Sequence, residues 1–430
     1  MLNVTVLKKS LCILLTVTLL ISSTALFSSA ESGDPEYINK YPAVFVHGFN
    51  GWGGGEGLNR LVPYWGATTG DLMKYLRSEG YECYSASVGP VSSAWDRACE
   101  LYAQLTGTTV DYGAAHSAKH NHKRFGRTYD APLFEGWGAR DSAGGIKKIH
   151  LIGHSFGGTT IRLMTHLLTY GCPEETAAAK GDASPLFEGG HGDLIESVTC
   201  ICSPHNSSSI YKMLIKTGLY DLVMVLTSLY CATAGRSVFN GRTVDFHLEQ
   251  FGLTNTPGKR DADGFFKSVN RFLKNSDDTC EHDLLPENTQ KLNESIKISP
   301  DVYYFSYAFN SMKKSKLTGI YLPVAGSNPV IMPLGLWIAW QPKFTNEITG
   351  QVYDDEWRAN DLLCNTVSEK YPFTEPHRDY DKNNIAAGIW NVMPVTEGDH
   401  GTAIGLFANK QKTRSFYSEM MQILVKTEKQ

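Results

Sequence analysis

Beyond its first thirty residues the chain has no run of about 18 uninterrupted apolar residues, so the sequence offers no second membrane span. It has no excess of either charge. Forty basic residues stand against 44 acidic ones, a net of −4, mixed along the chain without a basic or acidic tail, which removes the electrostatic case for a nucleic-acid partner. Internal repeats and low-complexity segments are also missing, which argues against a solenoid or a disordered linker. The nine cysteines form no tight, repeating framework, and Cys200-Ile201-Cys202 is one residue short of a metal-type CxxC. Most of Cys83, Cys99, Cys172, Cys200, Cys202, Cys231, Cys280 and Cys364 are therefore expected as buried free thiols, with room for one or two surface bridges.

What the chain does have is an N-terminal layout of two lysines (Lys8, Lys9), an apolar stretch from Leu11 to Ile21 and the small residues Ser28-Ser29-Ala30. That order reads as a cleaved secretion signal over residues 1–30, leaving a secreted chain from 31 to 430 with no stable membrane anchor. Short β-branched or aromatic runs then alternate with apolar-periodic stretches. Strands are expected over Tyr41–Val46, Glu82–Val88, Ile146–Ile152, Ile195–Cys202 and Val302–Ala308, and helices over Asp71–Ser78 and Thr159–Thr169. Alternation of this kind predicts an α/β fold, a mostly parallel central sheet with helices on both faces. Three stretches exceed a minimal unit: 96–127, rich in histidine; 207–233, apolar most of the way around a helix; and 317–340, apolar with glycine and proline.

Gly153-His154-Ser155-Phe156-Gly157 fits G-x-S-x-G, placed after a buried strand and before a helix. The glycines permit a sharp turn that exposes the Ser155 hydroxyl, and the helix N-terminus points amides at developing negative charge. Two backbone donors are needed for an oxyanion; the amide of Phe156 is one, and that of Phe49 in His47-Gly48-Phe49 is the candidate for the other. The base must be a histidine, taken from His166, His191, His205, His247, His282, His377 and His400 downstream of the serine. His400, late and in a loop, leads; His377 follows. For the orienting acid Asp361 leads over Asp354, Asp355 and Asp399. Separately, His116, His120 and His122 fall within seven residues, with Asp96, Asp111 and Asp245 as acidic companions, a donor chemistry that suits zinc.

Several segments together resemble one family, the zinc-containing secreted lipases of thermophilic bacilli and staphylococci in the α/β-hydrolase superfamily. They are His47-Gly48-Phe49-Asn50-Gly51-Trp52-Gly53, Val88-Gly89-Pro90, Trp95-Asp96-Arg97-Ala98-Cys99-Glu100, the run 109–128 with Tyr129, the stretch 184–190, Ser203-Pro204-His205, Asn360-Asp361, Asn365-Thr366-Val367-Ser368 and Asp399-His400. The resemblance implies a triad of Ser155, Asp361 and His400 with oxyanion amides from Phe49 and Phe156. It implies a structural zinc on Asp96, His116, His122 and Asp245, and a helical lid over 207–233. The implied activity is hydrolysis of glyceride esters at a lipid–water interface. A carboxylesterase, a phospholipase or an inactive binding protein on the same fold are the rivals. Two departures stand out. Phe156 replaces the polar residue or methionine usual in the family, and Thr402 and Phe407 stand where carboxylates would help a carbonyl near Gly326 hold calcium, so a calcium site is expected to be absent or weakened.

Overall fold

The protein is described by a computed structural model covering residues 37–429 apart from 143, 235–236, 239–240, 243 and 254–261; the signal expected over 1–30 lies outside the described residues. Seven strands form one fully parallel sheet: β1 (Ala43–Val46), β2 (Cys83–Ala86), β3 (Ile149–His154), β4 (Ile195–Ile201), β5 (Tyr303–Tyr307), β6 (His377–Asp379) and β7 (Trp390–Val392), in the spatial order β6-β7-β5-β4-β3-β1-β2. The five expected strands fall on β1 to β5, each starting later or ending earlier by one to three residues, while β3 runs two residues past Ile152 to His154. On the far side, β7 supplies the final strand expected before His400, whereas the edge strand β6 was not expected, because His377-Arg378-Asp379 is too short to show a period.

Why the strands read as continuous apolar runs is visible in β1. Ala43 and Phe45 enter one core, Val44 and Val46 the other, and all four are fully buried. A sheet covered on both faces needs apolar side chains on both sides of every strand. Helix α1 (Ala94–Thr106) and α3 (Phe156–Tyr170) pack together on the face that holds Val44 and Val46, while α8 (Lys410–Thr427) closes the other with Tyr417, Met420, Met421 and Leu424.

The three extra stretches differ in kind. The histidine-rich one begins inside α1, a core helix whose Ser93 N-cap accepts the Asp96 amide, so Asp96 belongs to the scaffold and only the part that follows, with α2 (Ala114–His120), is an addition. The 207–233 stretch forms α4 (Ile210–Lys216) and α5 (Leu219–Ala234), with α6 (Ala262–Asn275) packed on α5. The 317–340 stretch contains the return strand of an antiparallel hairpin, Met312–Lys314 against Tyr321–Pro323, and then α7 (Met332–Trp340). The eight cysteines are all unbridged, seven of them buried and divided between the two cores and the loops, so the surface bridges allowed by the sequence are not formed. No helix among the described residues is long and apolar enough to cross a membrane.

Candidate active site

β3 delivers Ser155 to the C-terminal edge of the sheet, where doubly wound folds place their ligands. Ser155 sits at φ 55°, ψ −127°, a conformation that L residues rarely adopt, immediately before α3 starts at Phe156. Its amide donates to the Ile201 carbonyl at 2.8 Å. Close backbone approach holds the strain. A Cβ on Gly157 would stand 2.3 Å from the Val46 carbonyl oxygen, one on Gly153 2.5 Å from the Gly157 backbone, and one on Gly48 2.8 Å from the Ser155 Cβ. The three glycines are what let the turn, the first strand and the loop after it interlock.

His400 and Ser155 line one cavity, and His400 Nδ1 lies 2.5 Å from Asp361 Oδ2. The backbones are tied as well, the His400 amide donating to the Asp361 carbonyl at 2.8 Å. Asp361 is fully buried, yet its carboxyl is held below the ordinary carboxylate range by His400 and by the Cys364 and Leu363 amides, which donate to Oδ1 at 2.6 and 2.9 Å. With Nδ1 so engaged, Nε2 is the nitrogen left for exchanging a proton. Behind Asp361 stands a residue the sequence did not mark, Glu369. It is fully buried, accepts the Phe309 amide at 2.7 Å through Oε2, and shares a cluster with Asp361 and His400 whose polar atoms lie within 4.8 Å of one another. Burial and the Asp361 charge push the Glu369 carboxyl well up, so it keeps its proton and can donate to Asp361. Nothing distinguishes Glu369 in the sequence from a surface glutamate beside Lys370.

The variable residue of the serine motif also has a place. His154 Nε2 contacts the His400 carbonyl at 3.1 Å and Nδ1 contacts the Tyr64 hydroxyl at 2.7 Å. A carbonyl only accepts, so Nε2 carries the proton; Nδ1 then accepts from Tyr64, whose oxygen in turn accepts the Gly48 amide at 3.0 Å. Burial and the nearby His400 push His154 well below the ordinary histidine range, which fits the neutral ring. One chain of hydrogen bonds thus runs from the loop before Phe49 to the backbone of His400. Arg97, fully buried, secures the same loop from below: it donates to the His47 carbonyl, to the Gly89 carbonyl at 2.7 Å and to the Thr160 hydroxyl at 2.8 Å, with its guanidinium 5.4 Å from the Phe156 ring centre. The amides of Phe49 and Phe156 make no hydrogen bond within the described residues. Phe49 lines the cavity, whereas the Phe156 ring is buried in the core, so the departure at 156 alters the scaffold and leaves its amide at the helix start.

The cavity measures ≈ 310 Å³, and its wall is overwhelmingly apolar. Helices α4 and α5 supply Tyr211, Leu214, Tyr220, Val223 and Met224 to that wall, and α7 supplies Leu334. The other candidates lie elsewhere. His377 is on an edge strand, stacked on Tyr371; Asp354 caps a short helix, Asp355 pairs with Arg358, and the Asp399 carboxylate accepts the Gly401, Thr402 and Asn328 amides. Thr402 and Phe407 are engaged in turn contacts, with Asp399 and Thr68.

The histidine cluster requires one correction. Asp96, His116 and His122 come together with Asp278, not with Asp245, their ligand atoms lying within 4.8 Å of one another. Asp245 instead receives Arg127 at 2.6 and 3.0 Å, and its carboxylate is thereby committed to a guanidinium. His120 turns to Asp277, and Asp111 to Arg124. The cluster holds buried atoms that make no hydrogen bond, Asp96 Oδ1, Asp278 Oδ1 and His122 Nε2, although His122 Nε2 lies 3.2 Å from Asp278 Oδ2. His116 Nε2 stands 3.2 Å from both carboxylates and can serve only one of them well. Two imidazole nitrogens and two carboxylate oxygens converging with unmet donors and acceptors fit a four-coordinate metal ion. Asp278 was detectable in principle, as a buried acid opening the Thr279-capped helix Cys280–Asp283, but no local period ties it to the histidines 150 or so residues earlier.

The chain matches the family described as "Lipase-like, C-terminal domain" over residues 39–430. It is 33% identical over 376 residues to a lipase of Staphylococcus epidermidis, covering 86% of this chain and 51% of that protein. To lipase 2 of Staphylococcus aureus it is 34% identical over 403 residues, 91% of this chain and 55% of that one, so it spans about half the length of either relative. Among solved structures, Staphylococcus hyicus lipase is similar at a TM-score of 0.76 and 31% identity, covering 93% of this chain and 99% of that one. Lipase 1 from Pelosinus fermentans is similar at a TM-score of 0.74 and 35% identity, with 90% and 99% covered.

Proposed function

The chain belongs to the lipase-like C-terminal domain family, and from that membership and the site geometry we propose that it is a secreted serine hydrolase of lipid carboxylic esters, glycerides above all. The observation that supports this most is Ser155 held in a strained turn, in one apolar cavity with a histidine already oriented by a buried aspartate. In the proposed reaction His400 Nε2 takes the Ser155 proton as Oγ attacks the ester carbonyl. The Asp361 carboxylate stabilises the resulting imidazolium. Amides of Phe49 and Phe156 hold the oxyanion, the alcohol leaves with the proton from His400, and water then releases the acid by the same steps in reverse order. The Tyr-rich, aliphatic wall suits an acyl chain, and α4 and α5, which form much of it, are the proposed lid.

Asp96, His116, His122 and Asp278 would hold zinc, a closed shell of four that ties a core helix to the inserted segment and to the loop before residue 280. Its contribution would be to folding, with no part in the ester chemistry. Labelling by a fluorophosphonate, lost in Ser155→Ala, tests the nucleophile, and rates on emulsified triglyceride against soluble p-nitrophenyl esters test the substrate class. A rate on soluble short esters that exceeds the emulsion rate would favour a carboxylesterase; no labelling at all would favour an inactive binding protein.

A further inference from the structure

The hairpin formed by Met312–Lys314 and Tyr321–Pro323 presents a surface that water does not reward. At its tip Leu317 is 94% exposed, and Ile320 and Leu322 on the return side are 49% and 48% exposed. Trp340, at the end of α7, is 46% exposed and tied to this hairpin, its indole donating to the Tyr321 carbonyl at 2.7 Å. Three large apolar side chains are thus exposed on this hairpin and a fourth is tied to it, at the end of the helix that supplies Leu334 to the cavity wall. The tip itself is ordered by its own backbone bonds, Ser315 to Ile320 and Gly319 to Ser315 at 2.8 and 2.9 Å, so the exposure belongs to a formed turn.

Charge marks the same surface. From residue 302 to residue 346 the chain contains no aspartate or glutamate, although it has 44 of them in all; it contains Lys313, Lys314, Lys316 and Lys343. All four lysines are exposed, and Lys314 lies 5.7 Å from the Tyr321 ring centre. Asp355 feels the charges of Lys314 and Lys343, but it is itself paired with Arg358 at 2.7 Å. Apolar tips ringed by lysines are the chemistry of an interfacial anchor: the aliphatic groups enter the acyl boundary while the ammonium groups reach anionic head groups.

We propose that this hairpin, with Trp340, is a docking foot for anionic lipid surfaces, separate from the cavity-lining lid. The idea rests on the lipid-ester reading for its physiological sense, because hydrolysis leaves a fatty-acid carboxylate at the surface with every turnover. A neutral emulsion would therefore become a better surface for the foot as the reaction proceeds, and the protein would hold most firmly where it has already worked.

Sedimentation with vesicles tests it, using the full mature chain carrying Ser155→Ala so that no lipid is consumed. Binding to phosphatidylcholine vesicles containing phosphatidylglycerol should exceed binding to phosphatidylcholine alone by about tenfold or more and should fall with added salt. The combined change Lys313→Gln, Lys314→Gln, Lys316→Gln should remove that preference. Leu317→Ser should weaken binding to both vesicles. Neither set, in the Ser155 enzyme, should alter the rate on a soluble short-chain ester. Equal binding to the two vesicles, or full binding by the triple lysine variant, would overturn the proposal. So would a dimer in free solution that Leu317→Ser dissolves, since the hairpin would then be a contact between copies. If no ester is hydrolysed at all, the lipid-ester reading fails while the vesicle result still decides the foot.

Discussion

Two groups of histidine and aspartate lie in this molecule, and they solve the problem of buried charge in opposite ways. At Asp361 and His400 every charge has a hydrogen-bonding counterpart in the chain: two amides and an imidazole for the aspartate, a carboxylate for the ring. At Asp96, His116, His122 and Asp278 the polypeptide leaves a carboxylate oxygen on each acid and a ring nitrogen without a hydrogen bond, with only charge contacts at 3.2 Å, and burial together with the Asp278 charge pushes the Asp96 carboxyl up to about 6. The first group is finished by folding. The second is the arrangement a bound ion would complete, and on the proposed reading that difference separates a site that acts from a site that fastens.

The sharpest way to separate them is to remove one residue from each. Ser155→Ala or His400→Ala should lower kcat by on the order of 10⁴ or more while leaving zinc content in place, and Ser155→Ala, which breaks no buried pair, should leave the melting temperature in place as well. A Ser155→Ala enzyme keeping more than about a tenth of its rate would refute the assignment. In the other group, Asp278→Asn or His116→Ala should release about one zinc per chain, as a four-ligand site implies, and lower the melting temperature by roughly 5–10 °C. Asp245→Asn should keep the metal and lose only what its pair with Arg127 contributes. If metal analysis shows the reverse for Asp245 and Asp278, the corrected ligand set is wrong.

Another buried acid belongs to neither arrangement. Glu281, which lines the cavity, is 3% exposed with neither oxygen hydrogen-bonded, and burial raises its carboxyl to about 8; its own amide and the Thr279 hydroxyl lie close enough to favour the anion slightly without making a well-formed bond. The folded state therefore binds this proton more tightly than the unfolded chain. Its stabilisation is complete below the ordinary value near 4.5 and is lost progressively as pH rises through about 8. Glu281→Gln should flatten that decline, by a few kcal/mol at most, in urea unfolding followed across this window. An unchanged slope would mean the group is solvated in solution.

The smallest effect should come from Glu369. Glu369→Gln keeps a donor toward Asp361 and should leave the pH–rate profile nearly in place. Glu369→Met removes it, leaves the Asp361 carboxylate more basic, and should move the acidic limb of kcat/KM to higher pH with a loss of about tenfold or less near neutrality. Identical profiles for the two variants would reduce Glu369 to a packing residue.

How much of this was legible follows from how far each signal reaches along the chain. The G-x-S-x-G turn, the strand before it and the helix after it are consecutive, so period and glycine spacing carry them. Histidines 116 to 122 are likewise visible as a cluster. The residue that completes the cluster is over 150 positions away, and the resemblance pointed to Asp245, whose neighbour Arg127 could not be foreseen from spacing. Glu369 and the short edge strand His377–Asp379 were invisible for the same reason: their roles are defined by what lies across the sheet.

The interlocked glycines around Ser155 have a consequence for how this protein should fail. The turn is pinned by Val46 on one strand, Ile201 on another and the first turn of a core helix, so it cannot relax unless the sheet itself comes apart. Thermal loss of the proposed activity should then be a single event rather than a gradual fading. Residual activity measured on heated samples should follow the global melting curve, with no warm interval in which a folded but silent protein accumulates.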